Sequence, residues 1–140
     1  MIVLCQTVLC GLFKNKLSIF YECKNVRFFF WQDHFLLNLY QCNSSKLDDE
    51  KFLVSMLERS VQLGEMTLLN LITHKFDPQG ITAVALLSES HISIHTWPED
   101  SSCAVDVYTC GDTANPRSSC DFIIKELECS DPRITHIKRI

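Results

Sequence analysis

Beyond His34 the chain breaks into segments whose hydrophobic positions follow one of two periods. Residues 35–40 read as a first strand. The set Phe52, Leu53, Met56, Leu57 and Val61 then repeats at helical spacing. Ser44 and Ser45 with Asp48, Asp49 and Glu50 mark the start of that helix, since oxygen caps and an acidic first turn satisfy its free N–H groups. Gly64 supplies the stop. A hairpin follows, with arms at 67–76 and 81–88. The connection Asp77-Pro78-Gln79-Gly80 suits a type I turn, with Pro second and Gly fourth. Residues 91–96 alternate polar and β-branched side chains, as a half-buried strand does, and 104–109 form another strand. Asn115 and Pro116 cap and open a second helix that turns Cys120, Ile123, Ile124 and Leu127 inward. Residues 134–140 close the order β-α-β-β-β-β-α-β. That order predicts an α+β fold, a two-layer sandwich of one antiparallel sheet with helices packed on one face.

The first 34 residues lack this regularity. Asn25-Val26-Arg27-Phe28-Phe29-Phe30-Trp31 mixes aromatic and basic residues without a period. Residues 1–13 are mostly apolar, but Lys14 and Lys16 end the run well short of the roughly 20 residues a membrane span needs. No positive charge precedes it, and it lacks the small-residue cleavage site of a secretory signal. Leu9-Cys10 has a faint likeness to a lipoprotein site, with Leu9 too large before the cysteine. Residues 1–34 are therefore expected to be an extension outside the core, or the product of an upstream start codon. Residues 35–140 are the expected domain, and no membrane partner is expected.

Composition narrows the function classes. A length of 140 residues with 46% hydrophobic content suits one domain with a real core. The net charge of -4 and the scattered basic residues argue against a nucleic-acid partner. The eight cysteines include no Cys-x-x-Cys pair, so neither a zinc ribbon nor a redox motif is supported. Most of them read as small buried hydrophobes with free thiols, which implies a reducing cytoplasm rather than a secreted disulfide framework. His91 and His95 stand four apart, a metal-pair spacing only on a helix. Their alternation says strand, no third ligand is near in sequence, and no metal site is expected.

Two runs concentrate chemistry-bearing side chains. The first reads Ser88-Glu89-Ser90-His91-Ile92-Ser93-Ile94-His95-Thr96-Trp97-Pro98-Glu99, and the second Ala104-Val105-Asp106-Val107-Tyr108-Thr109-Cys110-Gly111. No Gly-x-Ser-x-Gly elbow is present, so a hydrolase triad is unsupported. Together with His74-Lys75-Phe76-Asp77-Pro78-Gln79-Gly80, the two runs resemble the bacterial and archaeal S-adenosylmethionine decarboxylase family, from about Phe35 to the C-terminus.

The resemblance implies self-cleavage between Glu89 and Ser90 into chains 1–89 and 90–140. The Ser90 hydroxyl would attack the Glu89 carbonyl and turn an amide into an ester. Elimination then leaves dehydroalanine, which becomes a pyruvoyl cofactor on residue 90. That carbonyl forms a Schiff base with the substrate amine and accepts the electrons left by departing carbon dioxide. By resemblance His95 assists processing, and Thr82 stands where relatives usually carry a processing serine. Cys110 takes the proton-donor position, a task a protonated thiol can perform at neutral pH. Phe76 resembles the aromatic that stacks on adenine, and Glu99 the acid that binds the ribose hydroxyls. The implied product is the aminopropyl donor for spermidine synthesis, made by a homodimer with its active sites at the interface.

Two points stay open in the sequence. Ser90 and His95 differ in strand parity, so a regular strand would face them to opposite sides. The chain also departs from the family pattern at 38–42 and 101–103, which bears on substrate fit more than on processing. Arginine or ornithine decarboxylation on the same fold, a non-catalytic regulatory subunit and a secreted cysteine-rich module are the alternatives.

Overall fold

The computed structural model describes residues 32–111 and 113–139, and the expectations for residues 1–31 lie outside them. Six strands form one antiparallel sheet: β1 (Gln32–Tyr40), β2 (Leu68–Lys75), β3 (Ile81–Leu87), β4 (Ser90–Trp97), β5 (Ser102–Cys110) and β6 (Asp131–Arg139). Their order across the sheet is β2-β3-β4-β5-β1-β6. Among the described residues three α-helices accompany them: α1 (Ser44–Leu47), α2 (Glu50–Leu63) and α3 (Pro116–Glu126), with a 3-10 turn at Pro98–Asp100. The α+β sandwich is as the periodicity predicts.

Strand alternation decides which face the helices cover. Along β5, Cys103, Val105, Val107 and Thr109 are buried while the residues between them are half-exposed. Ile92, Ile94, Ala83, Ala85, Leu37 and Leu39 belong to the same buried face. Leu53, Met56, Leu57 and Val61 of α2 and Cys120, Ile123 and Leu127 close the core from the helical side. Burying one large aliphatic side chain contributes about 1.5–3 kcal/mol, so this face dominates the stability.

Several boundaries differ from the periodicity, each for a local reason. The single helix expected from Ser44 is two helices. Asn43 caps α1 through Ser45 and Lys46 N–H groups, and Asp49 caps α2 by accepting from Phe52 N at 3.0 Å. β1 starts at Gln32, where pairing with β5 and β6 continues past Phe35. The hairpin closes with Phe76 N–H donating to Gly80 O at 2.8 Å around a three-residue loop whose Asp77–Pro78 peptide is cis. This replaces the expected type I turn. Gly64 does end α2, but its φ of -81° is ordinary, and the left-handed residue is Glu65.

Candidate active site

Ser90 opens β4 and Cys110 ends β5, and the antiparallel register sets Ser90 beside Thr109. This brings the Glu89–Ser90 peptide to the Cys110 end of the sheet. The Glu89 carbonyl oxygen accepts from the Cys110 backbone N–H at 3.1 Å and from the Cys110 thiol at 3.1 Å. Two donors on one carbonyl polarise it and stabilise negative charge developing on its oxygen. The Glu89 carboxylate accepts from Thr67 N at 3.0 Å, which anchors the residue before the bond. Ser90 has a φ of 154°, a conformation that residues with a Cβ rarely adopt and that costs on the order of 1–3 kcal/mol. Its Oγ lies 3.2 Å from His91 Nδ1, within hydrogen-bonding reach.

A second group forms toward the other end of β4. His95 pairs with Thr82 across β3 and β4, and Thr82 Oγ1 lies 2.8 Å from His95 Nδ1. Phe76 follows β2 at the hairpin end, 49% exposed, with its ring edge-on to His74 at 4.6 Å between centroids. Glu99 sits on the 3-10 turn and accepts from Gln79 Nε2 of the hairpin loop at 3.0 Å. Asp48 holds this loop in place, accepting from Gly80 N at 3.0 Å and from Lys75 Nζ at 3.2 Å. The Gly80 hydrogen bond above all, and then Lys75, keep the Asp48 carboxyl below its ordinary 3.8.

The two groups do not meet within one chain. β4 runs without a register shift from Ser90 to Trp97, so five residues put Ser90 and His95 about 17 Å apart. The parity conflict therefore stands, with no bulge to relieve it. Glu89, Ser90 and Cys110 come together, as do Thr82 and His95, and Phe76 and Glu99 border the latter pair. Cys110 and His91, like Thr82 and His95, lie on strand positions facing away from the helices.

Sequence reasoning missed three contributors. His91, not His95, touches Ser90, and its place next in sequence was the available signal. Gln79 anchors Glu99 through a contact no pattern announces. Thr109, opposite Ser90, has a buried hydroxyl without a hydrogen-bond partner among the described residues.

Comparison with known proteins gives a consistent picture. The family model for S-adenosylmethionine decarboxylase matches residues 33–140. The S-adenosylmethionine decarboxylase proenzyme of Prochlorococcus marinus (strain MIT 9211) is 49% identical over 106 residues, covering 76% of this chain and 87% of the relative. That of Synechococcus sp. (strain WH7803) is 55% identical over 95 residues, covering 68% and 74% respectively. The crystal structure of the adenosylmethionine decarboxylase from Aquifex aeolicus VF5 superposes with a TM-score of 0.74 at 36% identity, covering 79% of this chain and 91% of that one. By sequence, fold and the match across both chemistry-bearing runs, the chain belongs to the S-adenosylmethionine decarboxylase family.

Proposed function

We propose that the chain cuts itself between Glu89 and Ser90, converts Ser90 to a pyruvoyl group, and decarboxylates S-adenosylmethionine for spermidine synthesis. The observation that carries this reading is the Glu89 carbonyl held by both donors of Cys110 beside a strained Ser90. Ser90 Oγ attacks the Glu89 carbonyl carbon, the C–N bond breaks, and an ester and a free amine result. The Cys110 N–H and thiol steady the oxyanion on the way. Loss of the Ser90 α-proton then expels the Glu89 carboxylate, and hydrolysis releases ammonia. The group so formed is a carbonyl electron sink made from the chain itself. After the cut Cys110 keeps its place at this end of the sheet, where its thiol can hand a proton to the substrate carbon.

The second group completes the site from another copy. Thr82 and His95 lie too far from their own Ser90 to act on it, yet Cys110 and His91 beside that serine share with them the face that no helix covers. That face also exposes Ile72, Leu86, Trp97 and Ile137. A two-fold pairing through it sets the Ser90 end of one protomer against the His95 end of its partner, and does so twice. Phe76 and Glu99 then border the substrate and bind its adenine and ribose. The folded unit opens with β1 at Gln32, three residues before the expected Phe35, and the free thiols among the described residues suit a reducing cytoplasm. No helix among the described residues is long and apolar enough to cross a membrane.

The matched relatives and structure are named for S-adenosylmethionine, which favours that substrate over arginine or ornithine. Intact-mass measurement tests the reading. The expected result is two chains, 1–89 and a blocked 90–140, which release carbon dioxide from S-adenosylmethionine and not from arginine or ornithine. A single chain of 140 residues, stable at neutral pH, would overturn it.

A further inference from the structure

Three thiols gather at the end of the sheet opposite the Glu89–Ser90 bond. Cys42 follows β1, Cys103 lies near the start of β5, and Cys129 precedes β6. Cys129 Sγ donates to the Tyr40 carbonyl at 3.1 Å, Cys42 N donates to the Ser101 carbonyl at 2.9 Å, and Cys103 pairs with Leu39 across β1 and β5, which gathers the three cysteines at one corner. All three are free; Cys42 and Cys103 are buried, while Cys129 is partly open to solvent.

The contact is built rather than incidental. Residues 41–46 are sewn to residues 126–130 along their whole length. Ser130 Oγ donates to Gln41 Oε1 at 2.7 Å, and Cys129 Sγ to the Tyr40 carbonyl at 3.1 Å. Asn43 N donates to Leu127 O at 3.0 Å, and Asn43 Nδ2 to Glu128 Oε2 at 2.8 Å. Lys46 reaches Glu128 at 3.1 Å and the Glu126 carbonyl at 2.7 Å. Cys42 and Cys129 each follow a left-handed residue, Gln41 (φ 54°) and Glu128 (φ 55°), that turns the chain into this seam.

We propose that Cys42 and Cys129 form a reversible disulfide on exposure to hydroperoxide, and that this bond joins the two chains made by cleavage. Cys42 lies before the cut and Cys129 after it, so the cross-link rests on the self-cleavage reading, whereas the disulfide itself does not. Cys129 is the partner because it sits on a loop that oxidants reach, while Cys103 is fixed in a central strand. One of the two sulfurs attacks the peroxide, the O–O bond breaks, and a sulfenic acid and water form. The other sulfur then displaces the hydroxyl as a second water. Two electrons from two thiols reduce one hydrogen peroxide. Hydrogen bonding from Cys103, foremost, brings the Cys42 thiol down to about 7, and burial, foremost, pushes the Cys129 thiol up to about 11, so Cys42 brings thiolate character and Cys129 brings access to solvent.

Without that bond the two chains are held by non-covalent contacts alone, in the sheet, in this seam and in the core. β1 lies between β5 and β6, and β3 pairs with β4. The test treats purified full-length protein with hydrogen peroxide, denatures it without reductant, and measures its mass. The expected species is one cross-linked pair, two hydrogens lighter than the sum of the chains, that dithiothreitol separates. Cys42→Ser and Cys129→Ser each abolish it, and Cys103→Ser keeps it. Two separate chains after peroxide, or a link that survives in Cys42→Ser, would overturn the proposal. A chain that stays whole under reductant refutes cleavage instead; a digest then decides the disulfide alone, by presence or absence of the joined Cys42 and Cys129 peptides.

Discussion

The backbone N–H and the thiol of Cys110 converge on the Glu89 carbonyl oxygen, each at 3.1 Å. Removing the thiol leaves the N–H in place, so Cys110→Ala should slow cleavage without abolishing it. Loss of one such donor typically lowers the rate about 10²–10³-fold. Ser90→Ala removes the attacking oxygen and should leave the chain whole indefinitely. A time course of intact mass at neutral pH separates the two variants. Equal cleavage in Cys110→Ala and the parent would show that the thiol contact has no part in processing.

The separation of Ser90 from His95 makes a sharper prediction. If Thr82 and His95 serve the partner's Ser90, two defective chains can repair each other. His95→Ala alone should cleave slowly, and Ser90→Ala not at all. Co-expressed in equal amounts, they should form mixed dimers containing about half of the His95→Ala chains. Those chains meet an intact Thr82–His95 pair and should be cut. Mass analysis that finds His95→Ala no better cleaved in the mixture would place both groups in one chain.

The sheet was legible because alternation is a local property. The run from His91 to Thr96 and the run from Ala104 to Thr109 each declare their buried face within a few residues. Asn115 and Pro116 likewise announce the start of α3, since a cap is a local hydrogen bond. Ser90, His95 and Cys110 stood out through their motifs, whereas the distances between them did not. Parity gave warning that Ser90 and His95 part company, and the uninterrupted register between β4 and β5 is why they do. The Asn43 and Asp49 caps that split one helix into two were hidden, because either residue alone could have opened it. Contacts such as Gln79 with Glu99 join residues 20 apart through loop geometry that no periodicity encodes.

Phe76 is about half exposed and meets His74 edge-on, so its substitution should leave the fold intact. An aromatic that stacks on a base contributes about 1–3 kcal/mol by alanine substitution. Phe76→Ala should therefore raise KM for S-adenosylmethionine roughly tenfold or more, at about 1.4 kcal/mol per tenfold, with kcat little changed. Glu99→Gln, which removes the charge at the proposed ribose contact, should act in the same direction. Steady-state kinetics on the processed enzyme, with thermal melts to verify folding, checks both. An unchanged KM in both variants would remove these residues from the substrate site.

Asp48 links the hairpin loop to pH. Its folded value lies below the ordinary 3.8 because Gly80 N–H, and then Lys75, favour the carboxylate. The unfolded chain thus binds more protons in the window just below that value. The stabilisation is fully present above about pH 4 and fades as pH falls through the folded value. Asp48→Asn should melt below the parent at neutral pH, and the gap should narrow once the solution drops below about pH 4. Melting curves across pH 3–7 measure it. A gap that persists unchanged at the acid end would mean that the charge is not what holds the loop.

Gly64 is required for space, not for backbone freedom. At its φ of -81° any residue is comfortable, yet an added Cβ would run into Ser119 Oγ and lie within 2.5 Å of Met66 Cε. Ser119 is fully buried and donates to the Ser60 carbonyl at 2.7 Å, across the α2–α3 contact. Gly64→Ala should displace that hydroxyl and strand a buried polar group, at a cost of about 1–3 kcal/mol. Met66 can swing its methyl aside, so the hydroxyl is the decisive obstacle. The double variant Gly64→Ala with Ser119→Ala removes the colliding atom and should recover part of the loss. Denaturant unfolding of the parent, both single variants and the double variant gives the coupling between the two sites. Simple additivity would show that the clash lies elsewhere, in the Ser60 carbonyl 3.3 Å from the new methyl.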